Sequence, residues 1–158
     1  LGSGEAYLEE FFHWAHNAYP GRVAVYLGYN NRLSHLIEAG SDLFLMPSTY
    51  EPCGLNQMYS LNYGTVPVVR RTGGLADTVH DYHETGGRGN GFSFSEASPY
   101  ALYMTLARAV SVFRDRDAWQ TIMRRGMTQD FTWAASARRY LDLYETARRK
   151  QGGYGMAV

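Results

Sequence analysis

Runs of consecutive apolar residues, each closed by a glycine-bearing turn and followed by a helix-period segment, recur along this chain and restrict its fold more than any other feature. RVAVYLG (22–28), DLFLMP (42–47) and TVPVVR (65–70) are too continuous for strands with one face in water. GFSF (91–94) reads as a last, shorter strand. Residues 5–18 place Tyr7, Leu8, Phe11, Phe12, Ala15 and Ala18 at helical spacing. Segments 30–40 and 55–63 read as helices stopped by Gly40 and Gly64. TGGLADTV (72–79) is a glycine turn into a short helix, and 81–90 is a polar, Gly-rich loop. Helices are expected over 99–113, 118–126 and 134–150, the last with Ala137, Tyr140, Leu141, Tyr144 and Ala147 on one face. Buried strands alternating with helices imply an α/β fold, a Rossmann-like parallel sheet with helices on both faces. We expect one domain over 1–150 and a flexible tail over 151–158.

Composition narrows the function. A chain of 158 residues can bury one real core. Fifteen basic and fifteen acidic side chains cancel, so no long-range field favours nucleic acid or an anionic membrane. The basic groups of 138–139 and 148–150 read as a solvated helix face. A single cysteine rules out an internal disulfide and suits a reducing compartment. No apolar run approaches the ~20 residues of a membrane span. The opening LGSGE reads as a strand end turning into a helix, so the chain is expected to be a piece of something longer.

Parallel sheets bind ligands beyond the carboxyl ends of their strands. There the chain places Gly28, Gly54, Gly73 and Gly74, with Gly2 and Gly4 at the matching place. The stretch STYEPCGLNQ (48–57) adds a carboxylate and the cysteine. A helix starting near Gly54 offers unpaired N–H groups and a positive dipole end, which suits phosphate. Glu51 would be a poor phosphate ligand there but a good acceptor for sugar hydroxyls. It could equally cap the helix, with Cys53 simply packed; the residues leave both readings open. His80, His83 and Glu84 lack the spacing of a zinc site, and nothing calls for a metal or cofactor. Arg70 and Arg71 end a strand that points at the cleft. Trp14, Trp119 and Trp133 read as helix-packing anchors and not as a sugar platform.

The block PSTYEPCGLNQMYSLNYGTVPVVRRTGGLADTV (47–79) resembles the signature region of bacterial glycogen synthases and plant starch synthases. GYNNRLSHLIEAGSD upstream and GMTQDFTWAASARRYLDLYE downstream extend the resemblance over almost the whole chain. Related transferases carry a second glutamate eight positions after the first, where this chain has Tyr59, as the synthases do. The resemblance implies the C-terminal half of a GT-B glycosyltransferase, retaining, with ADP-glucose as donor and an α-1,4-glucan as acceptor. It assigns Glu51 to the donor glucose as the active-site carboxylate, and backbone groups of Cys53, Gly54 and Leu55 to its hydroxyls. Asn56 and Gln57 would bring N–H groups to the diphosphate, Tyr29 would stack on the adenine, and Thr72, Gly73 and Gly74 would wall the cleft. Without the resemblance, Tyr29 reads as a strand-end tyrosine packed over a helix. The resemblance also implies a missing N-terminal GT-B domain as partner, and a missing first strand bearing an arginine and a lysine. That strand lies mid-sheet, so its loss is expected to leave raw sheet edges and a chain inactive by itself. A bacterial cytoplasm or a plastid stroma would be its place. The rival expectation is a non-catalytic nucleotide- or glucan-binding module; a weaker one is a UDP-glucose transferase.

Overall fold

The structure, a computed structural model, describes residues 1–153. Its centre is a parallel sheet of β1 (Leu43–Met46), β2 (Val66–Arg70) and β3 (Phe92–Phe94) in that order. Leu43 pairs with Val66 and Met46 with Val69, while Val68 pairs with Phe92 and Arg70 with Phe94. β2 has a neighbour on each side, and Val66, Val68 and Val69 are buried. The helices are α1 (Ala6–Ala18), α2 (Asn31–Ala39), α3 (Asn56–Tyr63), α4 (Gly73–Thr78), α5 (Pro99–Phe113), α6 (Arg116–Met127) and α7 (Trp133–Gly153). Polar caps start four of them: Asn30, Ser98, Asp115 and Thr132 accept from Leu33, Ala101, Ala118 and Ala135 N–H. Gly64, at φ +82°, closes α3 as expected.

The core lies on both faces of the sheet, as the apolar runs require. On one side Val66, Val68 and Phe92 meet Ala109 of α5 and Trp119 and Ile122 of α6. On the other, Met46 and Val69 meet Leu75 and Val79. Trp119 is the anchor its position suggests: its ring stacks on Phe92 at 6.3 Å and meets Phe113 edge-on at 5.0 Å. Among the described residues, no helix is long and apolar enough to cross a membrane.

Several expectations fail, for a common reason. The run 22–28 is not a strand: it makes one parallel bridge, Gly2 to Leu27, and stays largely exposed. Among the described residues its ladder partner is Gly2 alone, through Gly2 N–H to Tyr26 O and Gly28 N–H to Gly2 O, while Arg22 and Val23 N–H turn back to Tyr19 O. β1 is likewise an edge strand, with Leu45 44% exposed where burial on both faces was expected. The apolar faces of α1 and α7 are patterned as read but not covered; of α1 only Ala15 is buried. Trp14, 55% exposed, has ring contacts only with Phe11 and Tyr19, on and just after its own helix, among the described residues, and Trp133 is 86% exposed. α7 also continues through residues 151–153 of the expected tail; 154–158 lie outside the described residues.

The polar loop 81–90 is pinned from three sides. Asp81 accepts from the N–H groups of His83, Glu84 and Ser93 and from the Arg108 guanidinium. Asn90 bridges Thr78 O and His80 N–H, and Arg125 donates to the carbonyls of Gly87 and Gly89.

Glu38, in the last turn of α2, is buried, and its Oε2 finds no partner among the described residues. Burial holds this carboxyl above its ordinary range, against a smaller pull downward from His35. A carboxyl that protonates more readily folded than unfolded favours the fold as pH falls through its folded pKa, and opposes it above. Glu38→Gln is therefore expected to stabilise the chain by about 1 kcal/mol at pH 8. Thermal melts at pH 8 and pH 5 check this: the gain should shrink at the lower pH.

Candidate functional site

The turn between β1 and α3 carries the stretch singled out above. Its first half is tied to the sheet: Arg70, at the end of β2, donates to Thr49 O at 2.6 Å and to Ser48 O at 3.4 Å. Ser48 in turn donates to the Glu51 carboxylate at 3.3 Å, which fixes the direction of the half-buried acid. At Gly54 the chain takes φ +70°, a conformation that disfavours a side chain, and a Cβ there would lie 2.5 Å from Gln57 Oε1. α3 begins with no side-chain cap at Leu55, and among the described residues the N–H groups of Asn56 and Gln57 have no acceptor, while Met58 and Tyr59 N–H bond to Leu55 O.

The second glycine turn, after β2, is stitched to the first. Gly74 N–H is shared between Glu51 O at 3.2 Å and Pro52 O at 3.0 Å. A Cβ on Gly73 would strike the Glu51 carbonyl, and one on Gly74 the Cys53 carbonyl. The two turns thus form one surface because two adjacent residues of α4 have no side chains. Gln57 closes the knot. Its side chain is fully buried, and Nε2 donates to Cys53 O, Gly54 O and Thr78 Oγ1 at 3.1–3.2 Å.

The structure therefore brings together Glu51, Cys53, Gly54, Leu55, Asn56 and Gln57 with Thr72, Gly73 and Gly74. Tyr29 stands apart. It is 84% exposed, its hydroxyl meets Asn31 at 3.4 Å, and no ring contact or hydrogen bond joins it to the cluster among the described residues. It is not packed over a helix. Cys53 is free and exposed. Both arginines of the strand end are engaged by protein partners: Arg70 holds the loop, and Arg71 pairs with Glu84 at 2.6 Å and with Ser93 at 3.0 Å. The surface is an N–H cradle with one carboxylate beside it. It can hold an anion at α3 and hydrogen-bond a hydroxylated group at Glu51. Among the described residues no group of three or more His, Cys, Asp and Glu is placed for a metal ion.

Sequence reasoning missed Ser48, Arg70 and Thr78 as supports of the site. Ser48 and Thr78 sit inside the quoted motif, but no spacing rule pairs them with Glu51 or Gln57. Gln57→Leu keeps the volume and removes the side-chain donor to the part-buried carbonyls of Cys53 and Gly54. It is expected to destabilise the chain by about 2 kcal/mol and to weaken nucleotide binding about tenfold. Urea denaturation and calorimetric ADP titration check the two parts.

Residues 2–122 match the family of group 1 glycosyl transferases. A glycogen synthase from Anaeromyxobacter dehalogenans is 58% identical over 146 residues, which are 92% of this chain and 30% of that protein. One from Bacillus cereus is 49% identical over the same length, and one from Koribacter versatilis 50% identical over 149 residues. The catalytic domain of starch synthase IV from Arabidopsis thaliana, solved with ADP and acarbose, superposes with a TM-score of 0.79 at 35% identity. That match covers 92% of this chain and 31% of the other. The chain spans just under a third of the length of these relatives. The architecture is thus that expected: a parallel α/β sheet like part of a GT-B starch synthase. A family match over most of the chain, with relatives at these identities, leaves one assignment: the chain belongs to the group 1 glycosyl transferases.

Proposed function

We propose that this chain is the donor-binding portion of a glycogen or starch synthase. The intact protein would transfer glucose from ADP-glucose to the non-reducing end of an α-1,4-glucan, with retention. The observation that carries this reading is the knitting of two glycine turns, which sets Glu51 beside an uncapped start of α3. The starch synthase of similar fold was solved with ADP and acarbose, which supports the choice of nucleotide and glucan.

In this reading the diphosphate sits on the N–H groups of Asn56 and Gln57. Fixed dipoles there stabilise the departing phosphate without reorganising, the electrostatic route that usually dominates such catalysis. Cys53, Gly54 and Leu55 present backbone groups to the sugar, Glu51 accepts from its hydroxyls, and Thr72, Gly73 and Gly74 wall the cleft. Tyr29 would reach the base only from its exposed position, swinging about its side-chain torsions. The commitment of Arg70 and Arg71 to protein partners leaves the diphosphate charge to groups from elsewhere in the longer protein. The same observation favours a second reading, in which the chain by itself binds nucleotide and catalyses nothing. A cytoplasmic setting fits both.

An amide NMR titration of the chain with ADP, with UDP as the control, tests the proposal. Selective shifts at Tyr29 and at Cys53 to Gln57 with ADP are expected. A dispersed spectrum that ignores ADP would sink the donor assignment. Glucan elongation by the purified chain would overturn its inactivity in isolation.

A further inference from the structure

We infer that Arg70 is a positioning residue for Glu51, and that the turn between β1 and α3 is held by two clasps with separate tasks. The clasps meet the turn on opposite sides of Pro52. Arg70 donates to the carbonyls of Ser48 and Thr49, which precede Glu51. Gln57 donates to the carbonyls of Cys53 and Gly54, which follow it, and to Thr78. Between the two, the carbonyls of Glu51 and Pro52 share Gly74 N–H. The first clasp governs the carboxylate, and the second governs the N–H groups at the start of α3.

The partners of Arg70 carry the argument. A guanidinium lying on a loop that bears a glutamate would ordinarily pair with it. Arg71, next in the chain, does pair with a carboxylate, that of Glu84 at 2.6 Å. Arg70 enters no ion pair among the described residues and gives Nη1 to backbone oxygens. A bidentate pair would fill the lone pairs of the acid. With the guanidinium on the carbonyls instead, Glu51 accepts only the Ser48 hydroxyl, at Oε2, and its other lone pairs stay open to hydroxyls. That bond is 3.3 Å, long for a hydroxyl donor, so it does not hold the acid by itself. The hydroxyl points where the backbone of Ser48 and Thr49 directs it, and the 2.6 Å charge-assisted bond to Thr49 O fixes that backbone. The carboxylate is thus aimed through the loop and left free to accept.

Holding the arginine there has a cost. Arg70 Nε is buried and finds no acceptor among the described residues. A buried donor without a partner opposes folding, and an apolar side chain of the same length would avoid it. Packing alone does not account for such an arginine. The aiming of Glu51 stands whether or not the donor reading does; its effect on a donor sugar rests on that reading.

The test compares ADP-glucose with ADP by calorimetric titration of the wild-type chain and of Arg70→Met, alongside three-bond NMR couplings that report the Glu51 rotamer. Arg70→Met keeps the stem and removes the donor. It is expected to weaken ADP-glucose about tenfold and ADP less than about twofold, because only the sugar reaches Glu51. Gln57→Leu should weaken both ligands alike. Equal losses of both ligands in Arg70→Met, the mark of a general loosening, overturn the proposal. The couplings should show one Glu51 rotamer in wild type and an average over several in Arg70→Met. Ser48→Ala should give the same averaging and the same selective loss of ADP-glucose, and serves if the first variant unfolds. Couplings unchanged in both variants also overturn the proposal. A wild-type chain that ignores both ligands, or holds them equally, would sink the donor reading and leave the couplings to decide this one.

Discussion

Gly74→Ala is expected to cost about 3 kcal/mol of stability and about a hundredfold in ADP affinity. The added methyl would strike the Cys53 carbonyl, which is backbone and has no rotamer to retreat into. Relief requires α4 to withdraw from the turn, and that breaks the shared hydrogen bond from Gly74 N–H to Glu51 O and Pro52 O. The same movement drags on Gln57 through Thr78, so the turn loses both of its clasps. Gly86→Ala is the control. Gly86 also has positive φ, +61°, but a Cβ there meets nothing within 4 Å. It should cost about 1 kcal/mol and leave ADP binding alone. Paired urea denaturation and calorimetric titration separate the two cases. Equal losses for both would show that the contact between the two glycine turns is unimportant.

Asp81→Ala carries the second large effect. The carboxylate is fully buried and receives three backbone N–H groups besides Arg108. Arg108 keeps 37% of its side chain in solvent, so the ion pair contributes less than its geometry suggests. The greater part of the loss is the stranding of N–H groups from β3 and the loop, and about 3 kcal/mol is expected at pH 7. The pH dependence has a definite sign. Burial pushes the Asp81 carboxyl up, but the N–H groups of Ser93 and Glu84, with Arg108, outweigh it and hold it below its ordinary value. Such a group stabilises the fold above its unfolded pKa, ~3.9, and stops doing so as pH falls through the folded value. The gap between wild type and variant should be constant near neutrality and narrow below about pH 4. A gap that widens in acid would contradict the assignment.

What the sequence reveals about this molecule depends on whether a partner is local. β2, α3 and α4 are legible because both sides of β2 lie within the chain and the glycines mark their own turns. Residues 22–28 read as a buried strand from the same kind of pattern and fail, because a parallel strand needs a neighbouring backbone that Gly2 alone does not provide. The Asp81 loop looks solvated in composition, yet its centre is buried by Ser93 and Arg108, 12 and 27 residues further on. At the site, Gly54, Gly73 and Gly74 are predictable as turn residues. That Gln57 would spend its side chain on the loop is not, since the motif gives the residue and not the direction it faces. Trp119 and Trp133 both follow helix-period logic, and only the fold separates the buried one from the exposed one.

The uncovered flanks have a consequence for how this chain breathes. Its cooperative unit runs from β1 to α6, where both hydrophobic clusters lie. α1 is tied to residues 22–28 by a few hydrogen bonds, from Gly2, Tyr19 and His16, and most of α7 holds only its own. Opening free energies should therefore fall in steps along the sequence. Amides of Val66, Val68 and Val69 would exchange with solvent deuterons only through global unfolding. Those of 6–18 and 140–150 would exchange orders of magnitude sooner, by fraying that leaves the cradle at α3 intact.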